Sequence, residues 1–260
     1  MAGANDSGLL LGKHPPVVDH YSPELLFRIA RSEARQRLGL AGPVPFCGAD
    51  IWHAYEMSWL QADGQPVARV GRFSVPATSA YMVESKSFKL YLNSLNNTRF
   101  ESEDEARFTI IRDIGDAVCA PVELQLLTVD DPVLAGQSLP GDCLEATQRA
   151  SLAGQEPQAG LLVVGPGKVV EDCVYSHLLR SLCPVTGQPD WATVWMHYRG
   201  AAIQRQSLLD YIVSYRLHQE FHEQCVERMF RDINSRIAPG FLHLQAFYTR
   251  RGGLDISPCR

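Results

Sequence analysis

Apolar positions along this chain fall into two rhythms, and each predicts its own elements. Between 51 and 60 large apolar and aromatic residues crowd together and stop at Ala62-Asp63-Gly64, which predicts a strand that turns into a hairpin with 66–75. From 83 to 94, Phe88, Leu90 and Leu92 alternate with Lys89, Tyr91 and Asn93, the two-residue period of a half-buried strand. A four-residue spacing takes over at Ala106, Ile110, Ile114 and Val118 behind a Ser102/Glu105 capping pattern. That helix stops at Pro121, and Val122, Leu124 and Leu126 open another strand. Nearer the start, Ser22 as cap, Pro23 in the first turn and Leu26, Ile29, Ala30 and Leu38 near one face predict a helix over 22–38, ended by Gly39. Residues 1–12 are small and polar-rich and read as a frayed end.

The stretch 130–160, rich in Gly, Pro, Gln, Asp and Ser, has weak periodicity and is read as a linker, after which the chain starts again. Residues 191–198 are expected to form a strand like 51–60, 207–215 a strand like 87–95, and 222–237 a long helix. Ser87, Tyr91 and Ser94 recur as Ser207, Tyr211 and Ser214, and Arg112-Asp113-Ile114 recurs as Arg231-Asp232-Ile233. Agreement in element order makes a duplicated α+β module the better explanation than chance. The expected modules are 1–155, linker included, and 156–260. On this reading Cys47-Gly48-Ala49-Asp50 is the shortened counterpart of Cys183 to Asp190, and Gln204-Arg205-Gln206-Ser207 the counterpart of Glu84-Ser85-Lys86-Ser87. The chemistry has then diverged between halves, which suggests one composite site drawing on both.

Composition narrows the classes. A 260-residue chain that is 45% hydrophobic and 20% charged can bury one large or two smaller cores. No apolar run approaches a membrane span, and the first residues lack the pattern of a signal peptide, so a soluble cytoplasmic protein is expected. Seven cysteines without CxxC pairs suggest reduced thiols rather than a disulfide framework or a zinc ribbon, and no metal is expected. A net charge of −5 with no basic cluster argues against a nucleic-acid surface.

Ser181 to Trp191 concentrates the candidate chemistry. Cys183 and Asp190 flank Pro184, Gly187 and Pro189, which exclude a helix and restrain the backbone. A thiolate is the strongest side-chain nucleophile near neutral pH, and a carboxyl beside it is a proton partner. From residue types alone, an ordinary connector with an inert cysteine is the commoner explanation. Phe221-His222-Glu223 opens the long helix; Glu223 there suits paired N–H donors of a planar heterocycle, although acidic first turns are common simply as caps. Arg250-Arg251-Gly252-Gly253 reads either as a phosphate grip or as a flexible tail. No G-x-G-x-x-G follows a strand, and the spacing of 165–168 is not that of a P-loop.

Glu84-Ser85-Lys86-Ser87-Phe88-Lys89-Leu90-Tyr91, Cys183 to Asp190 and Phe221-His222-Glu223 together resemble, in order, the motifs of the NADPH-dependent 7-cyano-7-deazaguanine reductases, nitrile reductases of the queuosine pathway of tRNA modification, in their long two-module branch. The resemblance runs over most of the chain. It implies tandem tunnelling-fold modules, an α+β class with antiparallel sheets backed by helices, acting as a homodimer. It makes Cys183 the nucleophile that adds to the nitrile as a covalent thioimide, Asp190 the proton donor and His222 an assistant in proton transfer. Val83, Glu84, Ser85, His222 and Glu223 would bind the deazaguanine, and Ser85, Lys86, Arg251 and Gly252 would bind NADPH. Two hydrides per turnover would take the nitrile through a thiohemiaminal and an imine to the aminomethyl product.

Two other classes remain in play. A pterin-type cyclohydrolase of the same fold would need zinc ligands around Cys183, and Cys183 with His222 alone leaves zinc under-coordinated. A purine-binding module using Glu223 would have no use for a Cys/Asp loop.

Overall fold

The computed structural model describes residues 18–40, 42–151 and 156–260. Residues 1–12, read above as frayed, lie outside the described residues. The chain divides into two compact units, the first holding 18–37, Asp50–Ala135 and Arg250–Asp255, the second Leu38–Ala49, Gly136–Thr249 and Ile256–Arg260.

The first unit runs β1 (Arg28–Ala30), α1 (Arg31–Arg37), β2 (Ala49–Leu60), β3 (Pro66–Pro76), β4 (Tyr81–Val83), α2 (Ser85–Ser94), α3 (Glu103–Val118) and β5 (Glu123–Leu127). The predicted hairpin is present as β2 and β3, closed at Asp63-Gly64, and β5 lies antiparallel on the far side of β3 in the order β5-β3-β2. The helices back this sheet. Phe88 of α2 meets Trp52 and Phe73 edge-on at 5.2 and 5.1 Å, and Ile110 and Ile114 of α3 are fully buried. Ser102 caps α3 by accepting the N–H of Glu105, as its sequence pattern indicates.

The second unit runs β6 (Asp142–Cys143), α4 (Leu144–Thr147), β7 (Val164–Leu182), β8 (Pro189–Ile203), α5 (Arg205–Ser214), α6 (His222–Ile237), β9 (Phe241–Tyr248) and β10 (Leu254–Cys259), the last sharing its first residues with the first unit. The strand order is β9-β8-β7-β6, antiparallel apart from β6 with β7. α6 has the bounds expected from the sequence.

Three expectations need correction. The stretches 83–94 and 207–215 are helices, α2 and α5, not strands. The alternation misled because Tyr91 was set on the polar side, whereas Ser87, Tyr91 and Ser94 are all buried with Phe88 and Leu92. Each hydroxyl is satisfied inside: Ser87 donates to Glu84 O, Tyr91 to Asp113 and Ser94 to Tyr91 O. Nor is 22–38 one helix. Ser22 and Pro23 open only a short 3-10 turn, and 28–30 are drawn into pairing with β4, leaving helix for Arg31–Arg37 alone. Finally, the halves align differently. β5 pairs with β3 as β9 pairs with β8, so β8 corresponds to β3 and β7 to β2. The counterpart of the Cys183 loop is therefore the 61–65 turn, not Cys47 to Asp50.

The recurrent residues do the same work in both units. Tyr91 donates to Asp113 Oδ2 at 2.7 Å and Tyr211 to Asp232 Oδ2 at 2.8 Å, while Arg112 and Arg231 each hold the other oxygen of the aspartate that follows them. Both long helices end on a non-glycine residue in the left-handed region, Cys119 (φ 55°) and Ala238 (φ 38°), whose N–H closes back on Gly115 and Asn234.

Candidate active site

In the second unit Cys183 leads the turn that joins β7 to β8. Its N–H donates to Gln188 O at 2.8 Å, and its carbonyl accepts from Gly187, whose φ of 68° is why glycine stands there. Ser181 pairs with Asp190 and Leu182 with Pro189 across the hairpin. Side chains alternate along strands, so Ser181, Cys183 and Asp190 share one face, and that face is the inner one: they are 0, 4 and 9% exposed. Cys183 and Asp190 are thus diagonal neighbours on the buried side of a hairpin, and Asp190 belongs to a strand rather than to the loop.

The opening of α6 completes this cluster. His222 Nε2 lies 3.3 Å from Asp190 Oδ2, and its ring stacks on Tyr248 of β9 with centroids 3.8 Å apart and planes 11° from parallel. His222 Nδ1 is buried and has no hydrogen-bond partner among the described residues. Glu223, the next residue, is 3% exposed. Beneath them Cys225 and Tyr248 are fully buried, and burial pushes both the Cys225 thiol and the Tyr248 phenol well above their ordinary values. The hairpin is braced from behind: Leu182 donates to His218 O, and His218 is held by Glu220, which Arg228 grips. Glu220 sits at about 2, because hydrogen bonds from Arg228 and His218 outweigh the upward push of burial.

In the first unit Val83 ends β4, and Glu84 is the N-cap of α2, 1% exposed. Its two carboxylate oxygens accept the N–H groups of Lys86 and Ser87, each at 2.8 Å. Burial raises the Glu84 carboxyl, and those two N–H groups oppose the rise. Ser85 and Lys86 are half-buried in the first helical turn. Arg251 and Leu254 exchange backbone hydrogen bonds around Gly252 and Gly253, whose φ values of 61° and 81° make the tight turn that only glycine forms without strain. A side chain on Gly252 would lie 3.8 Å from Lys89, and one on Gly253 would strike Glu56, the ion-pair partner of Lys89 at 2.8 Å. Lys89 lies one turn beyond Lys86 on α2, an i, i+3 spacing that the strand expected over 83–94 hides.

These donors suit a phosphate-bearing cofactor: an ammonium and a hydroxyl from Lys86 and Ser85, and a guanidinium beside a glycine turn. Because Glu84 already occupies N–H groups at the start of α2, side chains rather than the helix terminus have to carry that contact.

Residues 17–126 match the family described as nitrile reductase, 7-cyano-7-deazaguanine-reductase N-term, and residues 189–260 match one described as QueF-like protein. An NADPH-dependent 7-cyano-7-deazaguanine reductase of Chromohalobacter salexigens is 48% identical over 96% of this chain and 90% of its own length. Its namesake in Stenotrophomonas maltophilia is 49% identical over 96% of this chain and 91% of its own length. The chain belongs to the 7-cyano-7-deazaguanine reductase family.

Among solved structures, an archaeosine synthase QueF-Like in the apo form is 17% identical, with a TM-score of 0.31 over 37% of this chain and 94% of that one. Within the reductase family match, Cys183 lies between the two matched segments while Asp190 and His222 lie inside the second. Tyr248 and the His218–Glu220–Arg228 brace escaped the sequence reading, since none belongs to the motifs and a buried tyrosine or ion pair carries no pattern of its own.

Proposed function

We propose that this chain is an NADPH-dependent nitrile reductase that converts 7-cyano-7-deazaguanine to 7-aminomethyl-7-deazaguanine for queuosine synthesis. The observation that carries the reading is the buried placement of Cys183 diagonal to Asp190, with His222 3.3 Å from that carboxylate and stacked on Tyr248. Cys183 attacks the nitrile carbon, and Asp190 delivers the proton that the nitrogen takes up, giving a thioimide bound to the enzyme. His222 holds Asp190 and returns a proton to it. Bound NADPH supplies the hydride, twice per turnover. Between the two reductions the thiolate of Cys183 leaves as the carbon–sulfur bond breaks.

His222 and Glu223, and Val83, Glu84 and Ser85, are assigned to the deazaguanine. A buried carboxylate suits the paired N–H donors of the base, and Glu84 keeps lone pairs to spare after its two backbone bonds. Ser85, Lys86, Arg251 and Gly252 are assigned to NADPH. The protein is further read as a cytoplasmic homodimer. No described helix is long and apolar enough to cross a membrane.

Intact-mass measurement after incubation with the nitrile, NADPH omitted, tests the chemistry. An adduct of the whole substrate mass is expected for the natural chain and none for Cys183→Ala. A full-mass adduct on Cys183→Ala would overturn the assignment. Sedimentation equilibrium tests the dimer.

A further inference from the structure

We propose that the second unit carries a site for a borderline-soft divalent cation such as zinc, built from Cys143, Glu145 and His177. One donor atom from each lies within 4.8 Å of the others, a spacing that one ion can span after small side-chain adjustments. The three come from different local structures. Cys143 ends β6, Glu145 lies in α4, and His177 falls where the β7–β8 register slips between Ser176 and Leu179. Gly141, with φ of 97°, lets the chain press so closely on β7 that a side chain there would strike Cys173 O at 2.3 Å. No sequence spacing announces the trio, because β7 joins it only through pairing of Cys143 with Tyr175.

Two observations point to a ligand. Glu145 Oε1 accepts the N–H of His177 at 2.7 Å, which fixes the carboxylate, and its buried Oε2 makes no direct hydrogen bond of good geometry, with Ser176 and Cys143 the side chains that lie against this carboxyl. The His177 ring is also pre-set: Nδ1 lies 2.8 Å from Thr193 Oγ1, which leaves Nε2 as the metal-binding nitrogen when Nδ1 donates. Sulfur, nitrogen and oxygen donors together favour zinc over magnesium or calcium, with water completing a tetrahedron. The site shares no residue with the Cys183 cluster, so it stands whether or not the reductase chemistry does.

The test is cobalt(II) titration of the full chain after chelator treatment under reducing conditions, followed by zinc competition. One equivalent is expected to give a thiolate-to-cobalt charge-transfer band and tetrahedral d–d bands that zinc abolishes. Cys143→Ser should remove the charge-transfer band, while Cys183→Ala and Cys259→Ser keep it. Thr193→Val, which leaves all three ligands in place, should weaken binding about 10–100-fold by analogy with outer-shell substitutions elsewhere. Circular dichroism confirms that each variant is folded before it is read. Absence of the band in the natural chain, or its survival in folded Cys143→Ser, overturns the proposal.

Discussion

At the scale of single residues, the acid beside the nucleophile is where chemistry and structure can be separated. Asp190→Asn preserves shape and the contact with His222 but removes the proton, so the single-turnover rate of adduct formation should fall by ~10²–10⁴-fold with a modest change in substrate affinity. An unchanged adduct rate would move the acid to His222. Tyr248 offers the complementary test. Tyr248→Phe keeps the ring under His222 and should leave adduct formation near the natural rate, whereas Tyr248→Leu removes the stack and should slow it while binding persists. Cys183, Asp190 and His222 were legible as candidates only through the order of the motifs they share with the reductases, because residue types alone favour an inert cysteine and an ordinary helix cap. Tyr248 was not, since only the pairing of Ala192 with Tyr248 carries it under the site.

At the scale of elements, capping and turn chemistry read well and periodicity read badly wherever polar groups face inward. The β2–β3 hairpin, α3 with its Ser102 cap and α6 all stand where pattern put them. α2 and α5 did not, because their buried serines and tyrosines make hydrogen bonds that a hydrophobic count cannot see. The segment between α5 and α6 has a consequence for acid stability. Glu220 is held at about 2, so its carboxylate contributes stability that is complete above its ordinary value of 4.5 and is lost as the pH falls from there towards 2. Denaturant midpoints of the natural chain should drop across that interval more steeply than those of Glu220→Gln. Equal slopes would mean that the Arg228 grip is not formed in solution. Since His218 also receives the N–H of Leu182, the same window should loosen the strand that delivers Cys183.

At the scale of the molecule, duplication was visible in a handful of identities, and the structure explains their survival: they are the internal fastenings of each unit rather than parts of the site. The copies are unequal in one respect. Asp113 accepts from Tyr21 as well as Tyr91, at 2.7 Å each, whereas Asp232 has Tyr211 as its tyrosine donor. Tyr211→Phe should therefore destabilise by ~1–3 kcal/mol, the range for leaving a buried polar group short of a partner, and Tyr91→Phe by less. Thermal unfolding of the two variants decides this; a larger shift for Tyr91→Phe would show that Tyr21 does not share the load. The module boundary itself was hard to read because neither unit is one continuous run of chain. The first is finished only by Arg250–Asp255, where Asp255 receives His53 at 2.9 Å and Tyr55 at 2.8 Å. Proteins ordinarily fold from the N-terminal domain onward as they leave the ribosome. Here the earlier-made unit has to wait, its strand β2 lacking these partners, until residues 250–255, far along the chain, have been synthesised.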